Sequence, residues 1–183
     1  MPNLIAELEH DHVNFEKLLA VLTEELDTLR QGDPPDYDLL LDGLEYFEGY
    51  ADRVHHPRED RMFALCLARA GDYAGEIRAI MAEHQRLQAI AEQVHTSLDG
   101  LLHGAITPRV DVQATLEELI HVLKRHIRFE NEVLFPHARA ILLAEDWTQL
   151  ETEFPTHEDP LFGVRAGDEF CNLYQRIMGG ERI

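Results

Sequence analysis

Apolar side chains recur along this chain at alternating steps of three and four residues, the spacing that puts side chains on one face of an α-helix. Four stripes with this spacing follow one another, at residues 8–29, 40–62, 77–101 and 116–137. Short segments that contain glycine or proline separate the stripes. Because short turns join helices that are neighbours in space, the pattern predicts an all-α fold, an antiparallel up-down-up-down four-helix bundle.

Prolines mark the expected ends and irregularities of these helices. The sequence Gly-Asp-Pro-Pro at residues 32–35 ends the first helix, and Asp36 is the predicted N-cap of the second. Pro57 lies inside the second stripe. Since proline lacks a backbone N–H and crowds the preceding turn, we expect a kink or bulge beside His55, or else a break into two helices there. A kink or a helix end is expected at Pro136 for the same reason.

The length and composition are those of one domain. The chain has 183 residues, of which 45% are apolar, enough for one sizeable core. We assign residues 1–143 to the bundle. Residues 144–183 contain a final apolar pattern that starts at Phe170, and we expect them to form a short C-terminal helical extension. Its two short helices would pack on the bundle as part of the same domain, or on a second copy of the chain in a homodimer.

The charge balance and the cysteines limit the expected partners and compartment. The chain has 35 acidic residues against 16 Lys and Arg, a formal charge of −19, so we expect neither a nucleic acid nor an anionic membrane as partner. Cys66 and Cys171 are the only cysteines, and neither belongs to a C-x-x-C motif. No basic start with a long apolar run and no stretch of about 20 apolar residues is present. These features predict a cytoplasmic protein with reduced thiols.

Two copies of the pattern H-x-x-x-E lie on the apolar stripes, His55 with Glu59 and His126 with Glu130. Residues four apart share one face of a helix, with a rise of about 6 Å between them, so each pair can hold one metal centre. The next residue, His56, is rotated by about 100° from its neighbour and is expected outside this centre, where it could pair with an acidic side chain such as Asp60.

Counting residues along the chain predicts that further histidines lie at the same height in the bundle as these two pairs. If neighbouring helices are antiparallel, residues at one height are mirror images about the connecting turn, and turns are expected near residues 34, 71 and 106. His12 then mirrors His55. Glu59 mirrors His84, which in turn mirrors a point between the last histidine and glutamate. To within about 5 Å, the expected layer contains His12, His55, Glu59, His84, His126 and Glu130.

This layer has an internal repeat. Each of its members in the first helix pair recurs 71 or 72 residues later in the second pair, so each pair supplies two histidines and one glutamate. The expected product is two equivalent half-sites that face each other. This arrangement suits two metal ions bridged by the two carboxylates.

Six ionisable residues in a leucine-rich core need an explanation, because such residues are almost never fully buried without a partner. A metal centre is one explanation. A buried His–Glu hydrogen-bond network is the other, and it predicts a protein that is stable without metal. Imidazole and carboxylate ligands without thiolate favour iron, with manganese as an alternative, over structural zinc. With two nitrogens, two carboxylate oxygens and an oxo or hydroxo bridge, each ion would keep one open position for O2, NO or peroxide.

The segments around these residues resemble the hemerythrin-like, or HHE cation-binding, family. The matching segments are Asp11-His12-Val13-Asn14, His55-His56-Pro57-Arg58-Glu59-Asp60, Glu83-His84, and His126 to Glu130 with Leu134-Phe135-Pro136. The resemblance covers about residues 4–140, and a weaker one extends to residues 159–163. It implies two non-haem iron ions with the ligands His12, His55, Glu59, His84, His126 and Glu130.

The chain differs from the oxygen-carrying members of this family in two of the ligand positions. Oxygen-carrying hemerythrins have a second histidine one turn from the third-helix one, where this chain has Ile80 and Gln88, and they have H-x-x-x-x-D on the last helix. The set of four histidines and two glutamates is instead similar to bacterial di-iron proteins linked to the repair of iron–sulfur clusters. Ferritin-like enzymes use E-x-x-H, a different spacing.

The expected function is binding of a small ligand for sensing, storage or stress response. The alternative is a di-iron enzyme that reduces NO or peroxide, or an iron donor for cluster repair. Both possibilities stay open from the sequence.

Overall fold

The computed structural model describes residues 3–69, 72–104, 107–163 and 170–179, and within these ranges all regular structure is helical. The all-α prediction is therefore confirmed, whereas the turn positions expected at residues 71 and 106 lie outside the described ranges. The elements are α1 (Asn3–Gln31), α2 (Tyr37–Tyr46), the π-helix π1 (Phe47–His55), α3 (His56–Ala68), α4 (Ala74–Leu102), α5 (Arg109–Phe129), the π-helix π2 (Glu130–Leu134), α6 (Phe135–Ile141), α7 (Ala144–Glu153) and α8 (Cys171–Ile177).

Four continuous helical rods build the bundle. They are α1, the run α2–π1–α3, the helix α4, and the run α5–π2–α6. The predicted N-cap of the second rod is confirmed, because Asp36 Oδ1 accepts a hydrogen bond from the backbone N–H of Leu39 at 3.2 Å. The backbone N–H of Asp36 in turn donates to Glu25 Oε2 at 2.8 Å, which ties this start to α1.

The irregularities expected at the two prolines take the form of π-helical turns. Before Pro57, the N–H of His56 donates to the carbonyl of Ala51, five residues back. Before Pro136, the N–H of Phe135 donates to the carbonyl of Glu130, again five residues back. Because proline cannot donate and crowds the carbonyl of the preceding turn, the wider π turn accommodates it without ending the helix. The predicted bulge beside His55 is confirmed, and the chain continues there as helix.

The core consists of two apolar clusters at different heights in the bundle. One cluster contains Leu4, Ile5 and Leu8 from the start of α1. The other contains the buried apolar residues of the same helix between Phe15 and Leu29. A similar division occurs on α4, where the apolar positions before and after His84 belong to different clusters. Each fully buried Leu or Phe side chain stabilises the fold by about 1.5–3 kcal/mol. Apolar burial above and below therefore holds the bundle together around the layer between the clusters.

The chain after the bundle packs back onto it. Helix α7 contacts α1 and α3, and α8 contacts α1 and α2. Between these helices, Asp159 Oδ2 accepts a hydrogen bond from the Tyr46 hydroxyl at 2.9 Å, and Oδ1 accepts from the backbone N–H groups of Leu161 and Phe162 at 2.8 Å. The side chain of Leu161 is fully buried. A hydrogen bond to Tyr46 and the burial of Leu161 in the apolar core thus fix this segment to the bundle.

Candidate metal centre

The six polar side chains that counting assigned to one layer lie together between the two apolar clusters. All are buried, and the two carboxylates, Glu59 and Glu130, are 0% exposed. Each rod contributes to the group, and the second and fourth rods contribute a histidine and a glutamate each. The π turns lie directly beside these pairs, since His55 ends π1 and Glu130 begins π2.

Two histidine pairs form the ends of this cluster. The Nε2 atoms of His12 and His55 are 3.1 Å apart. The Nε2 atoms of His84 and His126 are 3.2 Å apart. The pairing follows the internal repeat, because each pair comes from one half of the bundle sequence. Nitrogens that converge in this way can bind one cation per pair.

The two carboxylates lie between the histidine pairs. Glu59 Oε1 is 3.1 Å from His55 Nε2, and Glu59 Oε2 is 3.5 Å from His84 Nε2. Glu130 Oε2 is 3.1 Å from His126 Nε2 and 3.5 Å from His12 Nε2. Each carboxylate therefore reaches nitrogens of both pairs. Within the described part of the chain, none of the four carboxylate oxygens receives a hydrogen bond of acceptable geometry.

Outer polar side chains fix the orientation of the four rings. Each Nδ1 faces away from the centre and has an oxygen partner at 2.8–3.3 Å. The pairs are His12 with Asn131, His55 with Asp11, His84 with Asp60, and His126 with Glu83. A histidine whose Nδ1–H donates outward presents the lone pair of Nε2 inward, which is the arrangement of metal-binding histidines.

The comparison with known families agrees with this geometry. The family model of the hemerythrin HHE cation binding domain matches residues 3–138, a range that contains the whole cluster and its outer partners. The chain belongs to this family. It is therefore a cation-binding protein, and its buried His/Glu cluster is the candidate site. A search of curated proteins found no match.

The residues of this HHE domain fit a metal group on chemical grounds. Two carboxylates with four unpartnered oxygens are buried, and buried charges normally are paired or coordinate metals. The paired Nε2 atoms carry facing lone pairs whenever both rings donate outward from Nδ1, and a cation between them removes that repulsion. In the hydrogen-bond network that the sequence left open as an alternative, the Nε2 groups of the site histidines would have to donate to these oxygens, and none of these contacts has acceptable hydrogen-bond geometry.

Protons take the place of the cation in the metal-free HHE domain. Burial by itself lowers the pKa of His55, but the charge of Glu59 and other carboxylates raise it to about 9. Burial likewise lowers the pKa of His84, but Asp60 and the buried glutamates raise it to about 10. Burial and the charge of Glu59 raise the pKa of Glu130, yet the histidines lower it to about 2. At neutral pH a metal ion must displace protons from these rings.

Aromatic rings pack against the first histidine pair, His12 and His55. Phe15 packs edge-on against His55 at a centroid distance of 4.8 Å, and Phe135 stacks on His12 at 5.3 Å. The Tyr50 hydroxyl donates to Asp11 at 3.2 Å, so the carboxylate that orients one site ring is itself held in place. Rings on one side and hydrogen bonds on the other leave these histidines little rotational freedom.

His56 lies closer to the cluster than the sequence suggested. Its side chain is buried, and its Nδ1 bonds to Asp52 at 3.1 Å, so the pairing with Asp60 was wrong. Asp60 instead accepts from His84, on which the His56 ring stacks at 4.2 Å. Burial first, and then a charge on His84, lower the pKa of His56 well below its usual value. A wider π turn precedes this residue, so the rotation of 100° per residue does not apply across it.

Sequence reasoning also missed the outer partners, although the internal repeat contains them. Asp11 and Glu83 each precede a site histidine and bond to the other histidine of the same half. Asp60 and Asn131 each follow a site glutamate and bond to a histidine of the opposite half. The members of each couple are separated by the same 71 or 72 residues as the site residues. Comparing the direct sequence neighbours of the site residues between the two halves of the repeat would have identified these four partners.

Replacing Asp11 by alanine should weaken metal binding by about 10- to 100-fold, the usual cost of losing the partner of a metal-bound histidine. The His55 ring loses its Nδ1 acceptor and turns more freely, while the site nitrogens and carboxylates all remain. Competition against a chromophoric chelator measures the affinity. The matched control is Glu16→Ala, which removes the same charge from an exposed position of α1. Equal affinities of the two variants would contradict an orienting role for Asp11.

Proposed function

We propose that this protein holds two non-haem iron ions and binds O2, NO or peroxide at them. The observation that carries the proposal is the pair of fully buried carboxylates that lie between two pairs of converging nitrogens and accept no hydrogen bond from the described residues. One ion would have His12 and His55 as its nitrogen ligands, and the other His84 and His126. Glu59 and Glu130 would bridge the ions, with an oxo or hydroxo group as a further bridge.

The donor set supports iron, with manganese as the alternative. Each ion would receive two imidazole nitrogens and two carboxylate oxygens, and the thiol groups of Cys66 and Cys171 take no part in the described clusters. Four protein ligands are fewer than iron ordinarily accepts, so a small ligand has room to bind. The metal pair would supply reversible redox chemistry towards that ligand.

The surroundings of the site support a role in handling a small molecule under exclusion of bulk water. Apolar clusters lie on both sides of the layer, and the Phe15 and Phe135 rings cover two of its histidines. Side chains that are held by outer hydrogen bonds keep their positions when a ligand arrives, which reduces the cost of reorganisation. Sensing, storage and stress response are the roles that such binding serves.

We propose the cytoplasm as the compartment. Neither Cys66 nor Cys171 forms a disulfide, in keeping with reduced thiols. In the described residues, no helix has both the length and the apolar character needed to cross a membrane.

One observation favours an enzyme that reduces NO or peroxide as the second candidate. A surface cavity of about 160 Å³ lies between the second rod and α4, and Glu48, Asp52 and Glu92 are among its lining residues. Asp52 bonds to His56, which stacks on His84, so polar groups connect this cavity with the centre. Reduction of NO or peroxide consumes protons, and a polar route from solvent is one way to supply them.

Anaerobic loading with iron(II), metal analysis and optical spectra test both candidates. A binding protein should retain two ions per chain and change its spectrum on exposure to O2 or NO, with recovery when the ligand is removed. An enzyme should consume NO or peroxide steadily in the presence of a chemical electron donor. Fewer than two bound ions, with either iron or manganese, would contradict the proposed centre.

Replacing His84 by alanine should reduce the bound metal from two ions to one or fewer. The change removes one nitrogen of the second pair and leaves the first pair, His12 and His55, intact. Inductively coupled plasma analysis after desalting gives the stoichiometry, and His121→Ala, at an exposed position, is the matched control. Full retention of two ions by the His84 variant would exclude this residue from the site.

A further inference from the structure

We propose that Tyr50 and Tyr46 form an electron path between the metal centre and the protein surface, in which Tyr50 is the first side chain to be oxidised. This proposal rests on the proposed function, because peroxide at the centre is the oxidant. It gives a chemical role to two buried hydroxyl groups that metal binding by itself does not require.

The inner end of the path is a chain of hydrogen bonds that reaches a site histidine. The Tyr50 hydroxyl donates to Asp11 Oδ1 at 3.2 Å, and His55 Nδ1 donates to Asp11 Oδ2 at 3.0 Å. One carboxylate therefore connects the phenol with the imidazole through its two oxygens. All three side chains are buried, so bulk water does not compete for these hydrogen bonds.

The second tyrosine continues the path outward. The rings of Tyr46 and Tyr50 are stacked, with 5.6 Å between their centroids and 20° between their planes. The Tyr46 hydroxyl donates to Asp159 Oδ2 at 2.9 Å, so each phenol has a carboxylate acceptor of its own. An electron can therefore cross between two rings in contact, while each proton moves only along an existing hydrogen bond.

The outer end of the path lies where the chain after the bundle packs on the second rod. The Phe162 ring meets Tyr46 edge-on at a centroid distance of 6.0 Å, and Phe162 is only half-buried. The amino group of Lys17, an exposed residue, lies 5.2 Å from the centre of the Phe162 ring. Asp159 is also half-buried. A reductant in solvent can therefore approach this end of the path.

The burial of the two hydroxyls sets the chemistry of the path. Tyr46 and Tyr50 are 0% and 2% exposed, and both rings contact Phe15 in an apolar core. Buried tyrosine hydroxyls need a hydrogen-bond partner, and here the partners are carboxylates rather than backbone carbonyls. Burial, and then the charge of the accepting carboxylate, raises the pKa of each hydroxyl above its usual value. Both phenols therefore keep their protons until an electron leaves the ring.

The proposed step takes one electron from Tyr50. Hydrogen peroxide accepts two electrons, and two protons from solvent, to give two water molecules. One electron comes from a centre that holds one iron(II) and one iron(III), which becomes fully iron(III). The other comes from Tyr50, whose phenolic proton moves to Asp11 Oδ1 and leaves a neutral tyrosyl radical.

The radical then moves outward. Tyr46 gives an electron to the Tyr50 radical, which recovers its proton from Asp11, while the proton of Tyr46 moves to Asp159. A one-electron reductant from solvent, together with the proton on Asp159, restores Tyr46. The oxidising equivalent thus leaves the centre without damage to its histidines.

Electron paramagnetic resonance of the full iron-loaded chain tests this path. Protein with one iron(II) and one iron(III) is mixed with equimolar hydrogen peroxide and frozen rapidly. The wild type should show a tyrosyl radical whose signal narrows when ring-deuterated tyrosine is incorporated. Tyr50→Phe should abolish the signal. In Tyr46→Phe the radical should form but should react with ascorbate about tenfold more slowly, a barrier increase of about 1.4 kcal/mol.

The matched control is Tyr37→Phe, which removes a hydroxyl from the same rod. Tyr37 precedes His55 by 18 residues, about 25 Å along the helix axis, and this variant should match the wild type. Metal analysis and circular dichroism establish that each variant binds two ions and folds. If Tyr50→Phe does not fold, the deuterated wild type and Tyr46→Phe decide.

The outcomes separate this inference from the proposed function. If the wild type binds two ions but forms no tyrosyl radical, the two hydroxyls are structural and only the inference fails. The inference also fails if Tyr50→Phe keeps the wild-type signal, or if Tyr46→Phe leaves the reaction with ascorbate unchanged. If the wild type does not bind two ions, the proposed function fails.

Discussion

Replacing Glu59 and Glu130 together by glutamine should remove both ions of the proposed centre and leave the helices intact. The two carboxylates are the only site groups that reach nitrogens of both histidine pairs within the described cluster. Neutral amides supply no charge to balance two cations in a buried layer, where an uncompensated charge is costly. The expected metal content therefore falls from two ions per chain to none.

The helical fold should survive this double substitution because apolar clusters on either side of the layer hold the bundle. Metal analysis gives the stoichiometry, and far-ultraviolet circular dichroism gives the helix content. The control is the pair Glu16→Gln and Glu118→Gln, which removes the same charge at exposed positions. A double variant at the site that still retained two ions would rule out bridging by these carboxylates.

Removing the metal should lower the melting temperature by about 8–16 °C. A ligand present at about 1,000 times its dissociation constant stabilises a folded protein by about 4 kcal/mol. In a chain of this size each kcal/mol shifts the midpoint by about 2–4 °C. Calorimetry of the metal-loaded and metal-free forms gives the difference. Equal midpoints would show that the fold does not bind the cation more tightly than the unfolded chain does.

The difference in melting temperature between the metal-loaded and the metal-free protein should increase with pH. Neighbouring carboxylates overcome the effect of burial and raise the pKa of His55 and His126 to about 9 and of His84 to about 10 in the metal-free fold. The unfolded value is about 6.5. Protonated rings therefore stabilise the metal-free fold below that value, and this contribution is lost as the pH rises through 9 to 10. The metal must displace the same protons, so its affinity rises over the same range.

The melting temperatures of both forms at about pH 6 and about pH 8.5 check this expectation. The gap between loaded and metal-free protein should be larger at the higher pH. In the double glutamine variant, which lacks the carboxylates that raise these pKa values, both the gap and its pH dependence should disappear. A gap that narrows as the pH rises would contradict proton displacement from the site histidines.

The meeting of the six side chains could be predicted because helix geometry is regular. A constant rise per residue turns sequence separation into height, and the turns supply the reference points. His12 and Glu130, more than a hundred residues apart, could be assigned to one layer on this basis and lie 3.5 Å from each other. Asp36 could be predicted as a cap because capping chemistry is local.

The remaining features depend on departures from that regularity and on contacts between helices. The π turn before His56 changes the direction of every later side chain on its rod, and no rule of constant rotation anticipates it. Asp11 lies next to His12 in sequence but orients His55 on a different helix. Which of several acidic residues supports a given ring depends on the distance between two rods, and that distance is set by packing of the whole core.

The hydrogen bonds to His84 and His12 cross between the two halves of the bundle and make the halves interdependent. Asp60 in the first half of the bundle holds His84 in the second, and Asn131 in the second half holds His12 in the first. A single helical hairpin with either half of this sequence would leave one of its imidazoles without support. Two such hairpins would complete each other only by associating face to face. Each half of the bundle therefore depends on the other half for the orientation of one of its metal-facing rings.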